Sequence, residues 1–329
     1  MELDASLSWL ALALTLGLAC RLCARLLRKI GSPDRIFHAS LTELESCSLP
    51  ARVAQTIYNK DAFKRAEKEL AGICNIPGCG LLNWTEPEYP QNLLQIYDPP
   101  ILFYLRGDPQ ILNMPCLSIV GTRRPTLYGS QMAERLGRDL AARGLVILSG
   151  MARGIDAIGH QGALASNGRA IGVLGTGIDV CYPKENKKLY EKVLERGAIL
   201  SEFPLGTHHA PENFPIRNRI VAGMPLGVIV IEGAEFSGSL ITARLAMEFG
   251  REVFGVPGNV TQTVSYAPNM LIKLGAKLVV NAEDVIEELP TPVRARAGKS
   301  RTPRSGAAKF AGFRCFGSLG KETLRTTGS

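Results

Sequence analysis

A chain of 329 residues that is 46% apolar, with 34 Gly in no fixed period, is neither disordered throughout nor collagen-like. Its formal net charge is +8, from 38 Lys and Arg against 30 Asp and Glu. The surplus sits in residues 291–329, where Arg294, Arg296, Lys299, Arg301, Arg304, Lys309, Arg314, Lys321 and Arg325 face Glu322 alone. Residues 1–290 are balanced, so a basic site in the body has to come from local clustering.

The run from Ala5 to Ala19 is uncharged and Leu-rich. Glu2 and Asp4 make its start acidic, where a secretory signal needs basic residues. It is also shorter than the roughly 20 residues that span a bilayer. It reads as a buried helix of a cytoplasmic chain with no membrane association. Leu10, Leu14, Leu18, Leu22 and Leu26 give i, i+4 spacing, and Gly31-Ser32-Pro33 stops that helix. Helices over 41–45, 51–58 and 62–74 complete a helical domain of residues 1–75. The 8 Cys are scattered among apolar runs, which suits buried thiols better than disulfides. Cys20-x-x-Cys23 has no second pair to complete a zinc site, and His208-His209 suits a loop rather than a metal face, so no metal is expected.

Residues 76–115 are Pro-rich and irregular, with room for a strand over 101–105. From residue 116 the pattern becomes regular. Strand-length apolar runs at 116–120, 145–148, 170–174, 198–200, 228–231, 253–256 and 277–280 alternate with helix-length segments at 130–143, 156–167, 185–196, 216–224, 239–250 and 268–274. Continuous apolar strands alternating with helices predict an α/β fold: a Rossmann-like doubly wound, mostly parallel sheet covered on both faces. A closing helical turn is expected over 284–289. Residues 76–290 thus form the main domain, with 76–115 as a lead-in. Past Pro290 the apolar period ends, and a disordered basic tail is expected over 291–329.

Ligands of such a sheet bind beyond the carboxyl ends of its strands. The loops there are rich in Gly, Ser and Thr. Gly121, Gly150, Gly154 and Gly238 let backbone approach a ligand closely. Arg123, Arg124, Arg153, Arg217 and Arg219 offer forked donors suited to phosphate, and Ser237, Ser239 and Thr242 add hydroxyls at a helix start. Together they predict an extended anion site on one sheet edge. Gly298-Lys299-Ser300 lacks the first glycine of a Walker A loop, and Gly175-x-Gly177-x-x-Val180 lacks the third glycine of the dinucleotide fingerprint. No cofactor is expected. Asp156 and His160 lie one helical turn apart, but a helix-start carboxylate and a packed histidine describe them better than an acid/base pair. No catalytic residue is assigned. Glu202 and Glu232 end strands and are placed to hold nearby arginines.

These loops resemble those of the DNA-processing protein A (DprA/Smf) family. The resemblance rests on Ser118-Ile-Val-Gly-Thr-Arg-Arg-Pro-Thr-Leu-Tyr-Gly129 and on Leu148-Ser-Gly-Met-Ala-Arg-Gly-Ile-Asp156. It continues in Val173-Leu-Gly-Thr-Gly-Ile-Asp179 with Tyr182-Pro183 and Asn186, Phe214-Pro-Ile-Arg-Asn-Arg-Ile220, Ser237-Gly-Ser-Leu-Ile-Thr-Ala243 and Val256-Pro-Gly258. It implies a non-enzymatic, homodimeric protein that binds single-stranded DNA, protects incoming strands in natural transformation and loads the RecA recombinase onto them. It also implies an N-terminal helical domain of the sterile-alpha-motif or helix-hairpin-helix kind, although Gly17-Leu-Ala-Cys20 replaces the expected Gly-x-Gly hairpin. Many members end in a winged helix, for which residues 291–329 are too short and unpatterned. The alternative class is a nucleotide- or cofactor-binding enzyme or carrier of the related Rossmann-like superfamily. Ser237-Gly-Ser239 lacks the Pro-Gly-Gly and Gly-Thr pattern of its phosphoribohydrolase-like members.

The expected groove joins Arg123, Arg153, Arg217 and Arg219 to the Ser237-Gly238-Ser239 helix start. Arg124, Lys184 and Asn218 are further candidates. Phe214 offers either a stacking face for a base or ordinary packing of its loop. Arg217 and Arg219 diverge on a helix, so one of them is free to pair with Glu202 or Glu232.

Overall fold

The computed structural model describes residues 2–297, with side chains from Ala5 onward. Six helices come first: α1 (Glu2–Ala13), α2 (Cys20–Ile30), α3 (Pro33–His38), α4 (Leu41–Ser46), α5 (Ala51–Tyr58) and α6 (Phe63–Cys74). The leucine period over 10–26 is split between two of them. Gly17 has φ +78°, in the left-handed region, and the chain turns there between α1 and α2. Helix α3 lies where Gly31-Ser32-Pro33 was read only as a stop. Ser32 caps it by accepting from Arg35 N, and Pro33 takes the first position, where its missing N–H costs nothing.

The sheet is built from β1 (Cys79–Asn83), β2 (Leu102–Gly107), β3 (Cys116–Gly121), β4 (Val146–Ser149), β5 (Ala170–Leu174), β6 (Ala198–Ser201), β7 (Gly227–Ile231), β8 (Glu252–Gly255) and β9 (Lys277–Leu278). Among the described residues its nine strands run in the order β1-β2-β6-β5-β4-β3-β7-β8-β9. From β3 to β6 the chain steps outward one way, then returns to place β7 on the other side of β3. Strands β3 to β9 pair in parallel, in registers such as Ser118↔Leu148 and Ser118↔Val228. Strands β1 and β2 add an antiparallel edge against β6, with Tyr104 opposite Ser201. The lead-in is therefore part of the sheet. Cys79–Asn83 is too short a run to stand out in sequence without its partner.

The connecting helices are α7 (Leu127–Ala142), α8 (Ile155–Ala165), α9 (Lys187–Arg196), α10 (Asn213–Gly223), α11 (Gly238–Glu248) and α12 (Tyr266–Lys273). They are followed by α13 (Ala282–Ile286) and α14 (Thr291–Ala297). A strand's period of two sends its side chains alternately into two cores. Ile229 and Ile231 of β7 join Leu136 of α7 and Ile155 of α8 on one face, while Val228 and Val230 join Ile220 of α10 and Ala243 of α11 on the other. Buried strand hydroxyls are satisfied: Ser118 Oγ donates to Val221 O at 2.7 Å and Ser149 Oγ to Ile119 O at 2.6 Å. The N-terminal helices share a core with the sheet, where Leu10, Leu26 and Ile57 cluster with Leu102, Tyr104 and Ile199. Helix α14 corrects the expectation that order ends at Pro290, for Ala297 is buried against Val285 and Leu289 in the α7 face. The rest of the basic tail, residues 298–329, lies outside the described residues.

Candidate nucleic-acid interface

The carboxyl ends of β3, β4 and β5 come together over a shallow basic depression lined by Arg123, Gly150, Arg153, Gly175, Tyr182 and Phe214. Two loops have to touch to make it. Gly154 has φ +74°, and a Cβ there would lie 2.4 Å from Thr122 O and 2.9 Å from Arg123 Cα. Only glycine meets both demands. Ile155 N then donates to Thr122 O at 3.2 Å, fixing the β4 loop against the β3 loop. The residue before the loop's Ala152 is also constrained. Met151 has φ +57° with its side chain buried, and Asn186 Nδ2 donates to Met151 O at 2.9 Å.

Arg123 and Arg153 are exposed on the rim of this depression. The Arg123 guanidinium lies 5.2 Å from the centre of the Phe214 ring, within the range of a cation–π contact. Arg153 Nη2 meets Glu185 Oε1 at 2.6 Å, with both side chains more than half exposed. Water screens such a surface pair, which leaves the guanidinium open to a competing anion. Phe214 is half-buried beside Tyr182, at 6.1 Å between ring centres, and Tyr182 stacks on His209 at 4.1 Å and 9°. The arrangement is an aromatic row ending under a cation.

Arg217 enters from beneath. It is 5% exposed, and its Nη1 donates to Val173 O at 3.3 Å. A Cβ at position 150 would lie 1.5 Å from that Nη1, so Gly150 is what lets the guanidinium reach the floor. Asp156 is buried as well, accepting from Gly150 N at 3.1 Å. Burial pushes its carboxyl above the usual carboxylate range, and the Arg217 charge works against that rise. His160 is fully buried, and burial holds its imidazole down, to about 4. The acid supports the floor from inside through Gly150 N, and the histidine is buried one turn further along α8.

The structure does not gather all the expected residues. Arg219 is 5% exposed and is spent on an internal clamp. Its Nη1 and Nη2 each meet a Glu202 oxygen at 2.7 Å, and its Nε lies 3.2 Å from Asp98 Oδ2. This corrects its expected place in the groove, because a guanidinium engaged on every edge has no donor left for a strand. The Ser237 start of α11 lies outside the depression's lining too. Ser237 Oγ and Ser239 Oγ bond each other at 2.9 Å, and Thr242 Oγ1 donates to Gly238 O at 3.1 Å, so these hydroxyls serve the helix itself. Gly121 is packed on β7, where a Cβ would lie 1.9 Å from Ile231 O. Arg124, Lys184 and Asn218 are not among the lining residues, although Arg124 and Lys184 are exposed. Among the described residues Glu232 holds no arginine. Its carboxylate accepts from Thr126 N at 2.8 Å and from the Thr126 hydroxyl, at the start of α7. Tyr182 and His209 were missed as site residues, since their loops follow different strands and only the sheet order brings them to Phe214.

Comparison with known proteins identifies relatives of this chain. Over residues 80–290 the chain matches the family described as DNA recombination-mediator protein A. It is similar to the DNA processing protein DprA of Bacillus subtilis (strain 168), at 43% identity over 214 residues, covering 65% of this chain and 72% of that one. It is similar to Protein Smf of Escherichia coli (strain K12), at 39% identity over 255 residues, covering 77% and 67%. The crystal structure of DNA processing protein A from Streptococcus pneumoniae superposes with a TM-score of 0.76 at 34% identity, covering 86% of this chain and 96% of that one. DNA processing protein A from Helicobacter pylori, whose structure is described for its single-stranded DNA binding mode, superposes at 0.58 with 31% identity, covering 64% and 97%. Among the described residues no helix is long and apolar enough to cross a membrane. The chain belongs to the DNA recombination-mediator protein A family, the DprA/Smf family of DNA-processing proteins.

Proposed function

We propose that the chain binds single-stranded DNA in the depression over β3, β4 and β5. We further propose that it acts in the cytoplasm as a homodimer that protects the strand and hands it to the RecA recombinase. The carrying observation is Arg123 poised over Phe214, with Arg153 on the same rim. A guanidinium takes a phosphate while an aromatic face takes the neighbouring base, and neither contact reads sequence. A duplex keeps its bases stacked inside, so the Phe214 ring favours an unpaired strand. Family membership supports the recombinase and the dimer. The enclosure of Asp156 and His160 supports binding rather than turnover.

The test is a gel shift comparing single strands with duplex of equal length, with a mononucleotide as competitor. Single strands should bind more tightly, and Phe214→Ala should narrow the gap by about tenfold. Equal binding of both forms, or displacement by micromolar mononucleotide, contradicts the reading.

A further inference from the structure

The crest holds a second and larger recess that the basic depression does not include. It is a cleft of about 540 Å³ between the loop leading into α7 and the loop that follows β8. Leu127, Tyr128, Pro257 and Val264 make its walls, and Glu232 and Gln262 supply polar groups. Tyr128 is 44% exposed, yet its hydroxyl donates to Pro257 O at 2.7 Å, so the ring stands as a fixed wall. Gln262 is exposed, and no hydrogen bond within the protein engages its amide among the described residues. Asn259 spends its carbonyl on Thr261 N and Oγ1, which among the described residues leaves its NH₂ free. Glu232, buried beside the cleft, has φ +50°. A non-glycine residue in that region is held there by its surroundings, here by the two bonds from Thr126.

The chemistry of the cleft selects its occupant. Its lining has a carboxylate and neither Lys nor Arg, so a phosphate is repelled. Both oxygens of that carboxylate already accept from Thr126, and no group of metal-ligating side chains exists among the described residues. What remains is a flat, uncharged group with hydrogen-bonding edges. Position narrows it further. Arg123 lines the basic depression, and Thr126, Leu127 and Tyr128 line the cleft from the same loop. A strand whose phosphates meet Arg123 therefore lies one loop away from the cleft.

We propose that the cleft is a base subsite of the same single strand: one unpaired base stacks on Tyr128 between Pro257 and Val264, with the Gln262 and Asn259 amides at its edge. This rests on the single-strand reading above and deepens it. Because the Gln262 amide serves as donor or acceptor, the subsite tolerates any base.

The experiment compares a base-bearing strand with a fully abasic strand of equal length, by fluorescence anisotropy, with circular dichroism to confirm folding. In the parent the base-bearing strand binds more tightly. Tyr128→Ala should weaken that strand about tenfold and leave the abasic strand unchanged, while Tyr128→Phe keeps parental binding of both. Gln262→Ala should act in the same sense and more weakly. Arg123→Ala should weaken both strands alike, since it removes a phosphate contact. If Tyr128→Ala and Gln262→Ala weaken both strands equally, or neither, while Arg123→Ala weakens both, the base subsite is wrong and the single-strand reading stands. If Arg123→Ala changes neither strand, the single-strand reading fails, and the subsite with it.

Discussion

Arg123 and Arg153 on the crest rim differ from Arg217 and Arg219 inside α10 in everything except residue type. The rim pair is exposed, with one ring contact and one solvent-screened ion pair. The α10 pair is 5% exposed at both positions, with Arg219 gripped by Glu202 and Asp98 and Arg217 laid under Gly150. The difference teaches that a count of guanidinium groups on a sheet edge overstates the binding surface. Of the buried pair, Arg217 shapes the floor and Arg219 closes an internal clamp, and the rim pair is left to meet a ligand. The rim should answer to salt and the interior to truncation and acid.

Removing Arg219 should have the largest effect. Arg219→Ala removes the guanidinium that Glu202 and Asp98 share in a mostly buried place, a loss of about 3–5 kcal/mol. Urea unfolding should show it as a lower midpoint with an unchanged slope. Arg219→Lys should recover little, since an ammonium cannot bridge both Glu202 oxygens as a fork does. A drop under about 1 kcal/mol, the range of exposed pairs, would place Arg219 with the rim.

Acid should reach the interior next. His160 has its imidazole lowered from 6.5 to about 4 by burial. Above pH 6.5 both folded and unfolded chains hold it neutral, and its contribution to stability is complete. As pH falls through that value the unfolded chain takes up the proton first, so stability is lost progressively down to about 4. The full loss is roughly 3 kcal/mol. Asp156 acts with the opposite sign, because its raised carboxyl lets the folded chain bind its proton first. Stability measured from pH 7 to pH 4 should therefore fall less steeply in His160→Leu than in the parent. Parallel curves for the two proteins contradict a buried neutral imidazole.

The smallest effect belongs to the tail. Cutting at Pro290 would remove Ala297 from the core, so the informative truncation ends at Ala297. That chain should keep its preference for single strands and its stability, and lose only part of its salt dependence. Loss of the strand preference itself would move the site out of the crest.

Much of this was legible in the sequence, for identifiable reasons. Strands buried on both faces read as unbroken apolar runs, so β3 to β8 could be placed within a residue or two. The loops beyond their carboxyl ends followed directly. Glu202 as an arginine holder was legible, because a carboxylate ending a strand had arginines within reach. Which arginine it would take was not, since Asp98, the other half of the clamp, comes from the Pro-rich lead-in. Strand β1 was hidden because its five residues are stabilised by pairing with β2 rather than by any pattern of their own. Tyr182 and His209 were hidden because stacking partners from separate loops leave no spacing to read.

The central claim is that Arg123 and Arg153 alone among these four arginines meet phosphate. The most direct test is the salt dependence of single-strand affinity in the Arg123→Ala/Arg153→Ala double variant. Two lost phosphate contacts should weaken binding to every sequence by a similar factor and lower the slope of log affinity against log salt by about 1.4. A folded double variant with the parent's affinity and slope would show that the strand does not lie on this rim.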